Sequence, residues 1–214
     1  MDAIFLATLF SNTDCVRALL DHGADVNVVY PGLDPHSFFR CSPYIFFSFS
    51  ANETLLILAT AYNDTKTLKA LLEKNPTNGN QVAKSGRTAF TNAVYKGNVE
   101  AVKLLIAHGL DVNAGPVPHE KFGISNYTPL FVAASENHVE IVRALLEAGA
   151  DPNILCQSGF KTIILYLNFI LPAALKPAIY NPIVFGHVEV VRLLLEHKAS
   201  PDLKVAHGGN HAAI

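Results

Sequence analysis

The chain has 214 residues, half of them hydrophobic and 16% charged, with a formal net charge of −2. That is enough apolar material for a substantial core, and it argues against a disordered segment and against a general binder of nucleic acid or anionic membranes. Cys15, Cys41 and Cys156 are odd in number and widely spaced, which suits thiols in a reducing compartment rather than a disulfide framework.

The start, "MDAIFLATLF", is apolar but carries Asp2 and no basic residue, so no secretory signal is expected. Residues 2–27 read as two helices: Asp2 caps the first, Ser11 opens the second, and Gly23 ends it. Residues 28–51 form an insert. Tyr30, Phe38, Phe39, Tyr44, Phe46, Phe47 and Phe49 are seven of the chain's twenty aromatics. They would either anchor a partner or fold back over Phe5, Leu6 and Phe10 of the first helix. Residues 52–80 repeat the first pattern, with Thr54 as cap, Asn63 as opener and Asn75 as stop; 81–113 repeat it with Thr88, Gly97 and Gly109. Within 114–153, residues 114–126 read as a Gly/Pro-rich hairpin insert, before Thr128, Asn137 and Gly149 take the same places.

The last unit, 154–202, ends in an amphipathic helix opened by Gly186 and stopped at Lys198. Its first half is obscure because 163–185 match no other unit. That run is apolar, but Lys176 and three prolines make a membrane span improbable. Two frames compete. Either Thr162 caps a helix over 162–171 and the following residues up to 185 loop out, or a helix lies directly before Gly186. The second places Pro182 inside the helix, at a cost of about 3 kcal/mol, and the first is preferred. Residues 203–214 are a tail.

The units therefore share one frame. The first four openers are followed twelve residues later by Gly or Asn, which suit a left-handed helix end; the fifth is followed by Lys198, which would carry a penalty there. In the first four units the opener is preceded by Ala7, Ala59, Ala93 or Ala133, small enough for a neighbouring helix to approach. Openers are separated by 52, 34, 40 and 49 residues, so the excess falls in the inserts 28–51, 114–126 and 163–185. His22, His108 and His197 each stand just before a stop, near the negative end of a helix dipole, and read as structural rather than as metal ligands.

"YTPLFVAASENHVEIVRALLEAGADPN" (127–153) and "RTAFTNAVYKGNVEAVKLLIAHGLDVN" (87–113) resemble the ankyrin repeat, with its T-P-L-H-x-A signature. The histidine of that signature is replaced by Ile57, Thr91 and Phe131, and by Leu165 in the preferred frame of the last unit. The resemblance implies an all-α solenoid of about five helix–turn–helix units, forming a single domain over 1–214. It also implies a non-enzymatic scaffold or adaptor that binds a protein partner through a concave face of hairpin tips and first helices. Matched by frame, the exposed variable positions are Lys84, Arg87, Asn92, Tyr95 and Lys96 in one repeat, and Tyr127, Val132, Ser135 and Glu136 in the next. Tyr95 with Tyr127 is the favoured anchor, because rigid aromatics bring contact area at little entropic cost. Asn27, Asn113 and Asn153 match the hairpin asparagine that is hydroxylated in some members; a turn residue chosen for backbone hydrogen bonding is the plainer reading.

Other chemistry is poorly supported. His207 and His211 have a helical metal-ligand spacing, but Gly208 and Gly209 oppose a helix there. "SGFKT" (158–162) lacks the leading glycine of a phosphate loop, and Cys15 falls at a packing position. No metal, cofactor, small-molecule substrate or nucleic acid is expected, and the chain should be a monomer in the cytoplasm or nucleus. The competing reading is a regulatory fragment of a larger enzyme, channel or ubiquitin-ligase adaptor.

Overall fold

In the first four repeats helices form where the frame places them, and each is short because its two ends are written into the sequence. The computed structural model describes residues 2–30, 52–115, 127–157, 174–202 and 206–207. By contact the chain divides into two units, Met1–Asp111 and Val112–Ile214.

The first unit contains three helix pairs: α1 (Ala3–Leu9) with α2 (Thr13–Asp21), α3 (Leu55–Ala61) with α4 (Thr65–Leu72), and α5 (Ala89–Tyr95) with α6 (Val99–Ala107). The shorter member of each pair lies in an inner layer, where α1 meets α3 and α3 meets α5. The longer members form an outer layer through α2, α4 and α6. The core lies between the layers, with Phe5, Leu58, Leu68, Phe90 and Leu105 all fully buried. At seven to nine residues, none of these helices would persist alone; burial of one face holds each in place.

Capping follows the expected chemistry at the threonines. The Thr54 hydroxyl accepts from Ile57 N–H, and the Thr128 hydroxyl from Phe131 N–H, at 3.3 and 3.2 Å. Thr88 and Thr91 form a reciprocal capping box, so Thr91 puts its own hydroxyl to use where the family signature has histidine. Asp2 departs from expectation, since its side chain makes no cap hydrogen bond. Every opener, from Ser11 to Gly186, is left-handed, as is every residue twelve positions later, including Lys198 at φ 67°. The imidazoles of His22, His108 and His197 donate from Nδ1 to the carbonyl four residues back, at 2.8–2.9 Å, closing the last helical turn.

The insert 28–51 is tied at its base. β1 (Val29–Tyr30) pairs antiparallel with β2 (Glu53–Thr54), and the Tyr30 ring stacks on Phe5 with centroids 4.5 Å apart. The remaining aromatics of that insert lie outside the described residues, as do most of the insert 114–126 and residues 158–173.

The second unit holds α7 (Pro129–Ser135) with α8 (Val139–Glu147), and α9 (Tyr180–Phe185) with α10 (Val188–Glu196). Again α7 meets α9 and α8 meets α10. A small antiparallel sheet of order β3-β4-β5, from Cys156–Gln157, Ala174–Lys176 and Ala206–His207, joins the segments that flank this last pair.

The inner helix of the last repeat thus corrects the preferred frame. Residues 180–185 do not loop out; they form α9 directly before Gly186. The cost assigned to Pro182 does not arise, because Pro182 is the third residue of α9, where a backbone N–H would have no partner inside the helix. Its carbonyl accepts from His187 N–H at 2.8 Å, the bond that Ala59, Ala93 and Ala133 make in their own repeats. The helix over 162–171 that the preferred frame expected, with Leu165 at the signature position, falls outside the described residues.

Candidate functional site

In the first unit the candidate surface is built from one hairpin loop and the helix after it. Ala83 N–H donates to the Arg87 carbonyl and Gly86 N–H to the Ala83 carbonyl, closing a tight turn with Gly86 at φ 81°. That turn leaves Lys84 and Arg87 exposed. Tyr95, the last residue of α5, is 66% exposed, and Lys96 beside it is exposed as well. Among the described residues no ion pair engages Lys84, Arg87 or Lys96. An exposed phenol ring with three uncompensated cations in the same repeat offers both contact area and charge to a partner.

Asn92 does not belong to this surface. It is buried, and its Nδ2 donates to the Ile57 carbonyl at 3.1 Å. The expectation that it is exposed is corrected: its position in the repeat is the one that meets the preceding inner helix, and it is Leu58 one repeat earlier.

Of the four candidates in the second unit, only Glu136 is exposed. Tyr127, Val132 and Ser135 are half-buried. The Tyr127 ring stacks on Phe131 at 5.1 Å. Ser135 donates to the Phe131 carbonyl at 2.8 Å and accepts from Asn181 Nδ2 at 2.7 Å, so its hydroxyl is used within the fold. Sequence reasoning missed Asn181 because the preferred frame put it in a loop.

The three hairpin asparagines act as clamps between adjacent repeats. Asn27 Oδ1 accepts from Thr77 N–H at 2.8 Å, Asn113 Oδ1 from Asp151 N–H at 2.9 Å, and Asn153 Oδ1 from Ser200 N–H at 2.9 Å. Each acceptor meets the same place in the following repeat. Cys156 is buried, and burial pushes its thiol pKa up, partly opposed by hydrogen bonds from Thr128 N–H and hydroxyl. Cys15 is exposed. Among the described residues no group of three or more His, Cys, Asp or Glu side chains could hold a metal, and no helix is long and apolar enough to cross a membrane. His211 and the side chain of His207 lie outside the described residues.

Comparison with known proteins agrees with the repeat geometry. A family model of three ankyrin repeats matches residues 56–156, and the single-repeat model matches 2–30 and 183–205. The chain belongs to the ankyrin repeat family. It is similar to the ankyrin repeat protein YahD of Escherichia coli, 30% identical over 163 residues, covering 73% of this chain and 68% of that protein. It is 36% identical over 107 residues to the ankyrin repeat and KH domain-containing protein mask of Drosophila melanogaster. That match covers 49% of this chain but 2% of the relative. The mouse protein phosphatase 1 regulatory subunit 27 is 29% identical, over 50% of this chain and 66% of its own length.

The match at 183–205 covers the end of α9 and all of α10. The fold class is therefore an all-α ankyrin-repeat solenoid, and such repeats are protein–protein interaction modules. The family and its regulatory-subunit relatives are generally non-catalytic.

Proposed function

We propose that this ankyrin repeat chain is a non-enzymatic adaptor that binds a protein partner on the surface of its hairpin tips and inner helices, with Tyr95 as the anchor. The observation that carries this reading is the exposure of Tyr95 at the end of α5, in the repeat that also presents Lys84, Arg87 and Lys96. A partner face combining an apolar pocket with carboxylates would complement it. In the second unit Glu136 remains a candidate contact, while Tyr127, Val132 and Ser135 contribute only their exposed portions.

The test is a comparison of captured proteins between wild type and Tyr95→Ala, with the thermal transition of both recorded. Loss of a partner with an unchanged transition supports the assignment. Equal capture by both overturns it. Tyr127→Ala is a poorer probe because its ring packs on Phe131, so its removal disturbs the fold as well.

A second reading is a regulatory component of a larger enzyme assembly, favoured by the similarity to a protein phosphatase 1 regulatory subunit. Titration of protein phosphatase 1 catalytic subunit with the purified chain distinguishes it. Absence of binding would remove that reading and leave the first intact.

A further inference from the structure

Two open apolar faces remain on the described surface, and they occupy complementary places in the repeat frame. The first is a groove of about 570 Å³ on α1 and α2, lined by Leu6, Ala7, Phe10, Cys15 and Leu19 among others. Phe10 is 65% exposed and Leu6 38%. The corresponding residues of the second repeat include Leu58 for Leu6, Ala59 for Ala7 and Leu71 for Leu19, all fully buried. In that repeat they form the face that receives the preceding helix pair.

The second face lies on α9 and α10, where Ile183, Val184, Val188 and Leu195 are all exposed. Ile183 stands where Thr60 and Ala134 are buried, and Leu195 where Leu72 and Leu146 are buried. Those are positions with which a repeat meets the one that follows it. One open face is thus the receiving side of a repeat junction and the other the offering side.

Charge agrees with the same register. In the junction between the fourth and fifth repeats, Arg143, six residues after its opener, pairs with Glu189, three residues after the next opener, at 3.9 Å. The cation six residues after the last opener is Arg192, and the acid three after the first is Asp14; both are exposed. Neither makes an ion pair among the described residues.

We propose that the α9/α10 face of one copy docks on the α1/α2 groove of a second copy, extending the repeat register from chain to chain with Arg192 opposite Asp14. The occupant of the groove is a second copy of this chain, because both its apolar surface and its charge match the junction that the chain already builds between its own repeats. The two faces differ, so the contact is heterologous: copies add one to the next, rather than stopping at a symmetric pair.

Sedimentation velocity over a concentration series tests this on the full chain. Wild type should show a concentration-dependent rise in mass that passes beyond two copies. Leu6→Glu/Phe10→Glu closes the receiving face and Ile183→Glu/Leu195→Glu the offering face. Each variant alone should be monomeric, with its cooperative thermal transition kept because the altered side chains are exposed. Mixed one to one, they should form a dimer and stop there, since each supplies the face the other lacks. Arg192→Glu should weaken wild-type association by about threefold or more, and combination with Asp14→Arg should restore it.

A wild-type chain that stays monomeric at every concentration overturns the proposal. Association that survives in both face variants overturns it too, as does a mixture that fails to pair. If association appears only after residues 31–49 are deleted, the chain's own insert is the occupant and the proposal falls.

Discussion

Asn92 Nδ2 donates to the carbonyl of Ile57 at 3.1 Å, tying α5 to α3 inside the first unit. The same carbonyl accepts from the Thr60 hydroxyl at 2.9 Å. An amide at this depth either keeps its partner or bears the cost of desolvation. Asn92→Ala should therefore destabilise the chain by about 1–2 kcal/mol, measured as a shift in the urea midpoint at unchanged slope. Asn92→Leu, which installs the side chain found at Leu58, should recover part of the loss. A partner that binds wild type should bind folded Asn92→Ala equally well, since this residue contributes no exposed surface.

The hairpin clamps make a second prediction. Asn27 Oδ1 accepts two hydrogen bonds from Thr77, one from its N–H and one from its hydroxyl, and Asn27's own carbonyl accepts from Asn78 Nδ2. Asn153 bridges Ser200 N–H and the Lys198 carbonyl. Asn113 Oδ1 accepts from Asp151 N–H. Alanine at any of the three should cost about 0.5–1.5 kcal/mol in thermal or chemical unfolding. Equal, negligible costs at all three would show that water replaces the clamps.

The parts of the fold legible in the sequence were those encoded by backbone rules. A left-handed residue at each opener and each stop is confined to few side chains, so Gly97, Gly109 and Gly149 mark boundaries on their own. Capping threonines did the same. The last repeat was misjudged because a proline looks equally costly anywhere in a helix when its distance from the helix start is unknown. Pro182 at the third position costs no hydrogen bond, and nothing local to its sequence says so. The surface was less legible than the frame. Lys84, Arg87, Tyr95, Lys96 and Glu136 are exposed as expected, yet Asn92 was not, although Leu6, Leu58 and Val132 at its place hinted at an apolar setting. The polarity of an asparagine suggests solvent, and its hydrogen bond to a distant carbonyl is not visible in a sequence.

Lys198 holds φ at 67° where Gly23, Gly109 and Gly149 hold the corresponding place in three other repeats. A side chain in that region brings Cβ against the following carbonyl, costing about 1–2 kcal/mol. Lys198→Gly should stabilise the chain by about 0.5–1 kcal/mol, the gain reduced by the greater freedom of glycine in the unfolded state. The reverse change, Gly149→Ala, should cost a similar amount even though an added Cβ would meet no atom within 4 Å. Opposite signs in differential scanning calorimetry would confirm that the backbone, not packing, sets both.

Cys156 gives the pH dependence. Burial raises its thiol pKa, with Thr128 N–H and hydroxyl pulling weakly the other way. In the unfolded chain the thiol ionises near a pH of about 8.5. Below that value both states hold the proton, and the stabilisation linked to it is fully present. As pH rises further the unfolded state releases its proton first, so stability falls through the raised folded value. Tyr30 and Tyr62, also raised by burial, extend the fall beyond a pH of about 10. These groups should therefore lower urea midpoints between about pH 8 and pH 10, against an opposite contribution from Lys176, whose pKa burial lowers, and Cys156→Ala should remove the thiol's share while lowering stability throughout. Accessibility gives an independent check. In a Cys41→Ser background, a thiol reagent at neutral pH should modify exposed Cys15 rapidly and buried Cys156 only on unfolding. Two equally fast reacting thiols in the folded protein would contradict the burial that the pH argument depends on.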